Sequence, residues 1–138
     1  METKNIVYKH EKPDPQQYMK LFETTGWNKK YGANLRELTR ALENSWCVVA
    51  AYDDELLTGI GRVVSDGVLY AMIYDMIVLP DYQNQGIGAR ILKMLVERCE
   101  SAGMRDIQLF SAKGKAAFYH KRGFKARPDD GPGMSLVS

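Results

Sequence analysis

Gly86 and Gly88, in the segment Gln83-Asn84-Gln85-Gly86-Ile87-Gly88, stand between an apolar run that ends at Leu79 and a long stretch of helical apolar periodicity. Without Cβ atoms, a ligand can come close to the backbone there. The N–H groups of a first helical turn, at the positive end of the helix dipole, would point at it. Phosphate or pyrophosphate is the natural guest of such a cradle. The spacing is not GxxxxGK[ST], and it is not GxGxxG either, because Ile91 stands where the last glycine belongs. Nucleotide hydrolysis is therefore not indicated. A two-glycine loop is also how an ordinary strand-to-helix turn is written, so the elements around it must decide.

Those elements can be read from periodicity and punctuation. Asn5 to His10 alternates as a short strand. Tyr18, Leu21 and Phe22 form an apolar stripe on a helix from Pro15 to about Thr24, which Gly26 ends. Gly26 to Gly32 reads as a loop. Asn34 and Glu37 form a capping box ahead of a second helix with Leu35, Leu38 and Leu42 inside. Three strands follow, Trp46–Tyr52, Leu56–Val64 and Val68–Leu79, joined by turns at Asp53-Asp54 and Ser65-Asp66-Gly67. Ile87, Ile91, Leu92, Leu95, Val96 and Cys99 share one helical face up to the stop at Gly103. Asp106–Phe110 is a short strand and Lys113–Arg122 a helix. A final strand pair is expected across Asp129-Asp130-Gly131-Pro132-Gly133. That order predicts an α/β (α+β) domain spanning 1–138, with one mixed sheet of six to seven strands and helices on both faces.

Composition narrows the partners. The chain has 138 residues, and 19 basic against 17 acidic residues leave a net charge of +2 with no long run of like charge. No nucleic-acid partner is indicated. Cys47 and Cys99 lie far apart without a CxxC motif, and His10 and His120 stand alone, so neither a disulfide nor a metal site is expected. The N-terminal residues have no apolar core of a signal peptide, and no apolar stretch approaches membrane-spanning length. A soluble cytoplasmic protein without a membrane partner is the expectation.

Two segments carry a family resemblance. Gln83-x-x-Gly86-x-Gly88 is similar to the acyl-CoA signature of the GNAT N-acetyltransferase superfamily, and Phe118-Tyr119-His120-Lys121-Arg122-Gly123-Phe124 is similar to its C-terminal F-Y-x-K-x-G-F stretch. Thr25-Gly26-Trp27, Tyr74-Asp75-Met76-Ile77-Val78 and Leu109-Phe110-Ser111-Ala112 further resemble the plastid and cyanobacterial members described as serotonin, or arylalkylamine, N-acetyltransferases. The resemblance implies acetyl transfer from acetyl-CoA to a primary amine, with homodimers common among such proteins.

Residue by residue, the resemblance implies a splayed strand pair that holds CoA against the backbone of Met76, Ile77 and Val78. The Met76 N–H is then the donor to the developing oxyanion. Pyrophosphate falls on the loop and first helical turn comprising Gln83, Asn84, Gln85, Gly86, Ile87, Gly88 and Ala89. Tyr119 is the implied general acid for the leaving thiolate, or else a tyrosine packed beside Phe118 and Phe124. Ala112 replaces an asparagine common in the family, and Ser111 is the candidate substitute in that pantetheine contact. The glutamate that GNAT histone acetyltransferases place on this strand falls on Met72, which cannot serve as a base. Asp75, the only carboxylate between Asp66 and Asp81, is the candidate base, or equally a buried carboxylate bonded to structure on the face opposite Met76. Trp27 and Tyr31 fall where an aromatic small-molecule acceptor would sit, although Trp27 is as readily core. Acetylation of a protein N-terminus or lysine, and a non-catalytic acyl-CoA-binding module, remain as alternatives.

Overall fold

Asp14 begins the first helix by accepting from the Gln17 N–H at 3.1 Å, and Pro15 at the first position has no N–H to leave unpaired. This helix, α1 (Pro15–Glu23), buries Tyr18, Leu21 and Phe22. Asn34 and Glu37 close the expected capping box: the Glu37 N–H donates to Asn34 Oδ1 at 2.9 Å, and the Asn34 N–H donates to Glu37 Oε1 at 3.1 Å. The stretch from Gly26 to Gly32 between these two helices, expected as a loop, contains one short helix. In chain order it is α2 (Asn28–Tyr31), and the helix that follows is α3 (Leu35–Glu43). Gly32, at φ 61°, ends α2 in the left-handed conformation.

The computed structural model describes residues 5–137, which divide into two compact units, one running to Gln108 and one beginning at Leu109. In the first unit β1 (Ile6–Lys9), β2 (Cys47–Asp53), β3 (Leu56–Ser65) and β4 (Tyr70–Val78) form an antiparallel meander. Helix α4 (Ile87–Ser101) then crosses to β5 (Asp106–Leu109), and the sheet order is β1-β2-β3-β4-β5. The Arg105 and Asp106 N–H groups both donate to Leu69 O at 2.9 Å, so β4 and β5 are joined at their N-terminal ends and set off in the same direction.

The sheet is covered on both faces because its strands are apolar on both. Val48, Ala50, Leu57, Ile60 and Ile77 pack under Tyr18, Leu21, Phe22, Leu38 and Leu42 of α1 and α3. Gly59 and Gly61 alternate with Ile60 and face the other way, toward Ile87, Ile91 and Leu95 of α4. Side chains this fully buried contribute about 1.5–3 kcal/mol each.

The second unit contains α5 (Ala116–His120), shorter than the helix expected over Lys113–Arg122. The final strand pair is a correction: among the described residues the sheet has five strands, not six to seven. Pro128 and Pro132 bring no N–H to a ladder. The turn is closed locally instead, by the Gly131 N–H to Pro128 O at 2.9 Å and by Arg127 Nε to Gly131 O at 2.7 Å.

Candidate active site

The site begins at an irregularity in β4. Ile60 pairs with Ile77 and Arg62 with Tyr74, so Gly61 on β3 faces two residues, Asp75 and Met76. That is a β-bulge, and Asp75 takes φ 56° within it, a left-handed conformation that aspartate tolerates better than most residues. Because of the extra residue, Tyr74 and Asp75 lie on the same face of the sheet. Arg62 is 5.8 Å from the Tyr74 ring and donates from Nε to Asp75 Oδ2 at 2.7 Å. Met76 lies on the other face, beside Ile91 and Leu95. Asp75 and Met76 therefore point to opposite faces, as strand alternation predicts for neighbours.

Asp75 is enclosed by partners that local sequence reading did not supply. Its carboxylate accepts from Arg62 and from the Tyr18 hydroxyl, with only 9% of the side chain exposed, and Arg62 Nη1 also donates to Ser45 Oγ at 3.3 Å. Burial, and then the Asp75 charge, raise the Tyr18 pKa far above the ordinary phenol value, so Tyr18 is a fixed donor. One signal was present in the sequence. Arg62 lies inside the apolar run Leu57–Val64, and a cation in a core strand requires a buried anion.

Beyond β4 the chain makes one 3-10 turn at Pro80–Tyr82 and enters the cradle. Asn84 at φ 62° and Gly86 at φ 85° are both left-handed, and Gly86 is the N-cap of α4. Apart from Gly86 itself and its chain neighbours, no protein atom lies within 4 Å of where a Gly86 Cβ would stand, so the space above the loop is open. The loop is fastened from below: Gln83 Nε2 donates to Val78 O at 3.0 Å, and Gln85 Nε2 to Asp81 O at 3.2 Å. The fifteen-residue α4 adds its dipole and unpaired first-turn N–H groups, including those of Gly88 and Ala89. The Ile87 side chain is buried, which leaves only its backbone for a ligand. These features fit the pyrophosphate of acetyl-CoA.

The aromatic candidates separate. The Trp27 ring meets the Phe22 edge at 6.1 Å and 76° and packs against the α1/α3 core, whereas Tyr31 is 65% exposed. In the second unit, Ser111 is exposed in the segment after β5. Tyr119 stands edge-on to Phe118 at 5.0 Å and to Phe124 at 6.0 Å, and burial raises its pKa. Within residues 109–137 its hydroxyl has no hydrogen-bond partner. Among the described residues no helix is long and apolar enough to cross a membrane, and no cluster of metal-ligating side chains occurs.

Comparison with known proteins places this geometry. An uncharacterized N-acetyltransferase, ycf52, of Pyropia yezoensis is 30% identical over 118 residues, 83% of this chain and 66% of its own length. A protein of Glycine max named histone acetyltransferase TAP1 is 30% identical over 125 residues, 83% of this chain and 53% of its own. The chain thus spans between about half and two thirds of the length of these two relatives. A GNAT-family acetyltransferase from Streptococcus pneumoniae, 27% identical, superposes with a TM-score of 0.80 over 97% of this chain and 98% of its own. The family model for the acetyltransferase (GNAT) domain matches residues 43–126, the stretch that carries the bulge, the cradle and Tyr119, and the chain belongs to the GNAT acetyltransferase family.

Proposed function

We propose that the chain is an N-acetyltransferase that moves acetyl from acetyl-CoA to a primary amine by direct attack in a ternary complex. The observation that carries this reading is the bulged β4 running, through a loop with left-handed Asn84 and Gly86, into the glycine-capped α4 in one continuous segment. The cradle from Gln83 to Ala89 holds pyrophosphate, and the backbone of Met76, Ile77 and Val78 lines the pantetheine arm. The Met76 N–H meets the thioester oxygen as charge develops on it. Tyr119 returns a proton to the leaving thiolate, and Ser111 contacts the pantetheine. A single domain spanning 1–138 is part of this reading.

A small aromatic amine is the acceptor this reading favours. Exposed Tyr31 and the resemblance to arylalkylamine N-acetyltransferases support it. Protein acetylation is the second reading, supported by the name of the Glycine max relative. Free thiols at Cys47 and Cys99 fit a reducing compartment, the cytoplasm or, as for the plastid enzymes it resembles, a plastid interior. Turnover of acetyl-CoA with a panel of arylalkylamines, polyamines, aminoglycosides and lysine peptides, followed by thiol release, tests the proposal. Higher kcat/KM for a peptide would overturn the small-amine reading, and no release with any amine would leave acyl-CoA binding alone.

A further inference from the structure

We propose that Asp75 is a positioning residue: the Tyr18–Asp75–Arg62–Ser45 network holds the β4 bulge in its left-handed turn and so aims the Met76 N–H. The inference rests on the acetyltransferase reading above. The peptide plane between Asp75 and Met76 carries that N–H, so any rotation about the Asp75 backbone rotates the donor with it. A lone non-glycine residue at φ 56° in a strand is held there by its surroundings. Its surroundings are four elements. Tyr18 comes from the buried face of α1, Ser45 from the turn after α3, Arg62 from β3 and Asp75 from β4. Tyr18 is fully buried, and the Arg62 and Asp75 side chains are 16% and 9% exposed, so the ion pair is screened little.

The same geometry argues against Asp75 as proton acceptor for the incoming amine. Both of its bonds come from donors that hold their hydrogens, a guanidinium and a phenol raised well above its ordinary pKa. A base on this carboxylate would have to be protonated beside Arg62, at the cost of a buried pair. Fixing the bulge requires that the carboxylate keep both accepted bonds throughout turnover.

The test compares Asp75→Asn, Asp75→Ala, Tyr18→Phe and Arg62→Gln in the intact chain. The substrate is the amine that the panel identifies, and kcat is expressed per CoA-binding site counted by isothermal titration. Loss of one preorganised oxyanion donor costs about 10²–10³ in kcat, so a misaimed one should cost about tenfold to hundredfold. Asp75→Ala should show that loss by the same factor at every pH from 6.5 to 9.5. Asp75→Asn, which tolerates a left-handed φ and still accepts from Tyr18, should recover part of the rate. Tyr18→Phe, which keeps the ring in the core, should fall less than Asp75→Ala while CoA affinity stays put. A loss that deepens as pH falls would make Asp75 the base and overturn the proposal. Full kcat per site in Asp75→Ala would overturn it too, and if that variant does not fold, full kcat in Tyr18→Phe has the same force. A wild-type chain that turns over no amine while binding CoA would instead refute the acetyltransferase reading.

Discussion

The sulfur of Met76 occupies space that a side chain on Gly61 would need: an ideal Cβ there would stand 2.7 Å from Met76 Sδ and from Leu95 Cδ1, and 2.8 Å from Ile91 Cγ2. The glycine of β3 and the bulge of β4 are thus one packing unit, with α4 closing over it. Gly61→Ala should destabilise the fold by about 1–3 kcal/mol, the usual range for overpacking a tight core, as read by urea or thermal denaturation. The same variant should raise the KM for acetyl-CoA, because Met76 has to move. An unchanged KM would show that the flexible Met76 side chain gives way without moving its backbone N–H.

Gly86→Val should weaken CoA binding through the backbone. The space around its Cβ is open, but a β-branched residue at φ 85° is strained by about 1–2 kcal/mol or more, and the loop will leave its cradle shape. Titration calorimetry should show the loss with the circular dichroism spectrum retained. Wild-type affinity in a folded Gly86→Val would put the pyrophosphate elsewhere.

Tyr119→Phe should lower kcat by about a hundredfold to ten-thousandfold under conditions where chemistry limits turnover, with little change in CoA affinity or in Tm. The pH dependence has a definite sign. Burial raises the pKa of Tyr119 above the ordinary tyrosine value, so the phenol keeps its proton and remains an acid beyond pH 10. Any fall in wild-type kcat from its ionisation should come above that pH and disappear in the phenylalanine variant. Full activity without the hydroxyl would reduce Tyr119 to a ring packed between Phe118 and Phe124.

Trp27 and Tyr31 should respond oppositely. Trp27→Ala removes half-buried packing on Phe22 and should cost about 2 kcal/mol of stability, somewhat below the ~3–5 kcal/mol of a fully buried aromatic. Tyr31→Ala should leave Tm unchanged and raise the KM for an aromatic amine, because the ring is exposed. A Tyr31→Ala enzyme with unaltered KM values across the amine panel would exclude it from the acceptor site.

What was legible in the chain was what depends on neighbours in sequence. The periodicity of Ile87 to Cys99, the Asn34/Glu37 box and the three-strand meander are local patterns, and all formed as read. The resemblance in Gln83 to Gly88 led to a loop whose left-handed backbone suits it. The bulge was not legible, because alternation carries no mark of an inserted residue: Ile77 joins the α1/α3 core, while Ile73, next to Tyr74, points the other way. The partners of Asp75 were out of reach for a different reason. Tyr18 lies 57 positions away, where its spacing reads only as a helix stripe. The expected last strands do not form, because the turn residues Asp129 to Gly133 look like a hairpin while the prolines beside them cannot donate to one.

Helix α4 carries five buried residues, Ile87, Ile91, Leu92, Leu95 and Cys99, and its first turn is also the floor of the cradle. An anion held there binds a surface that the unfolded chain does not possess, so occupancy and folding are linked by mass action. At a free CoA concentration one hundred times its dissociation constant, that linkage adds about 2.7 kcal/mol to the folded state. On the acetyltransferase reading, the melting temperature of this protein should rise with the donor around it, and a preparation stripped of CoA should melt measurably lower than one saturated with it.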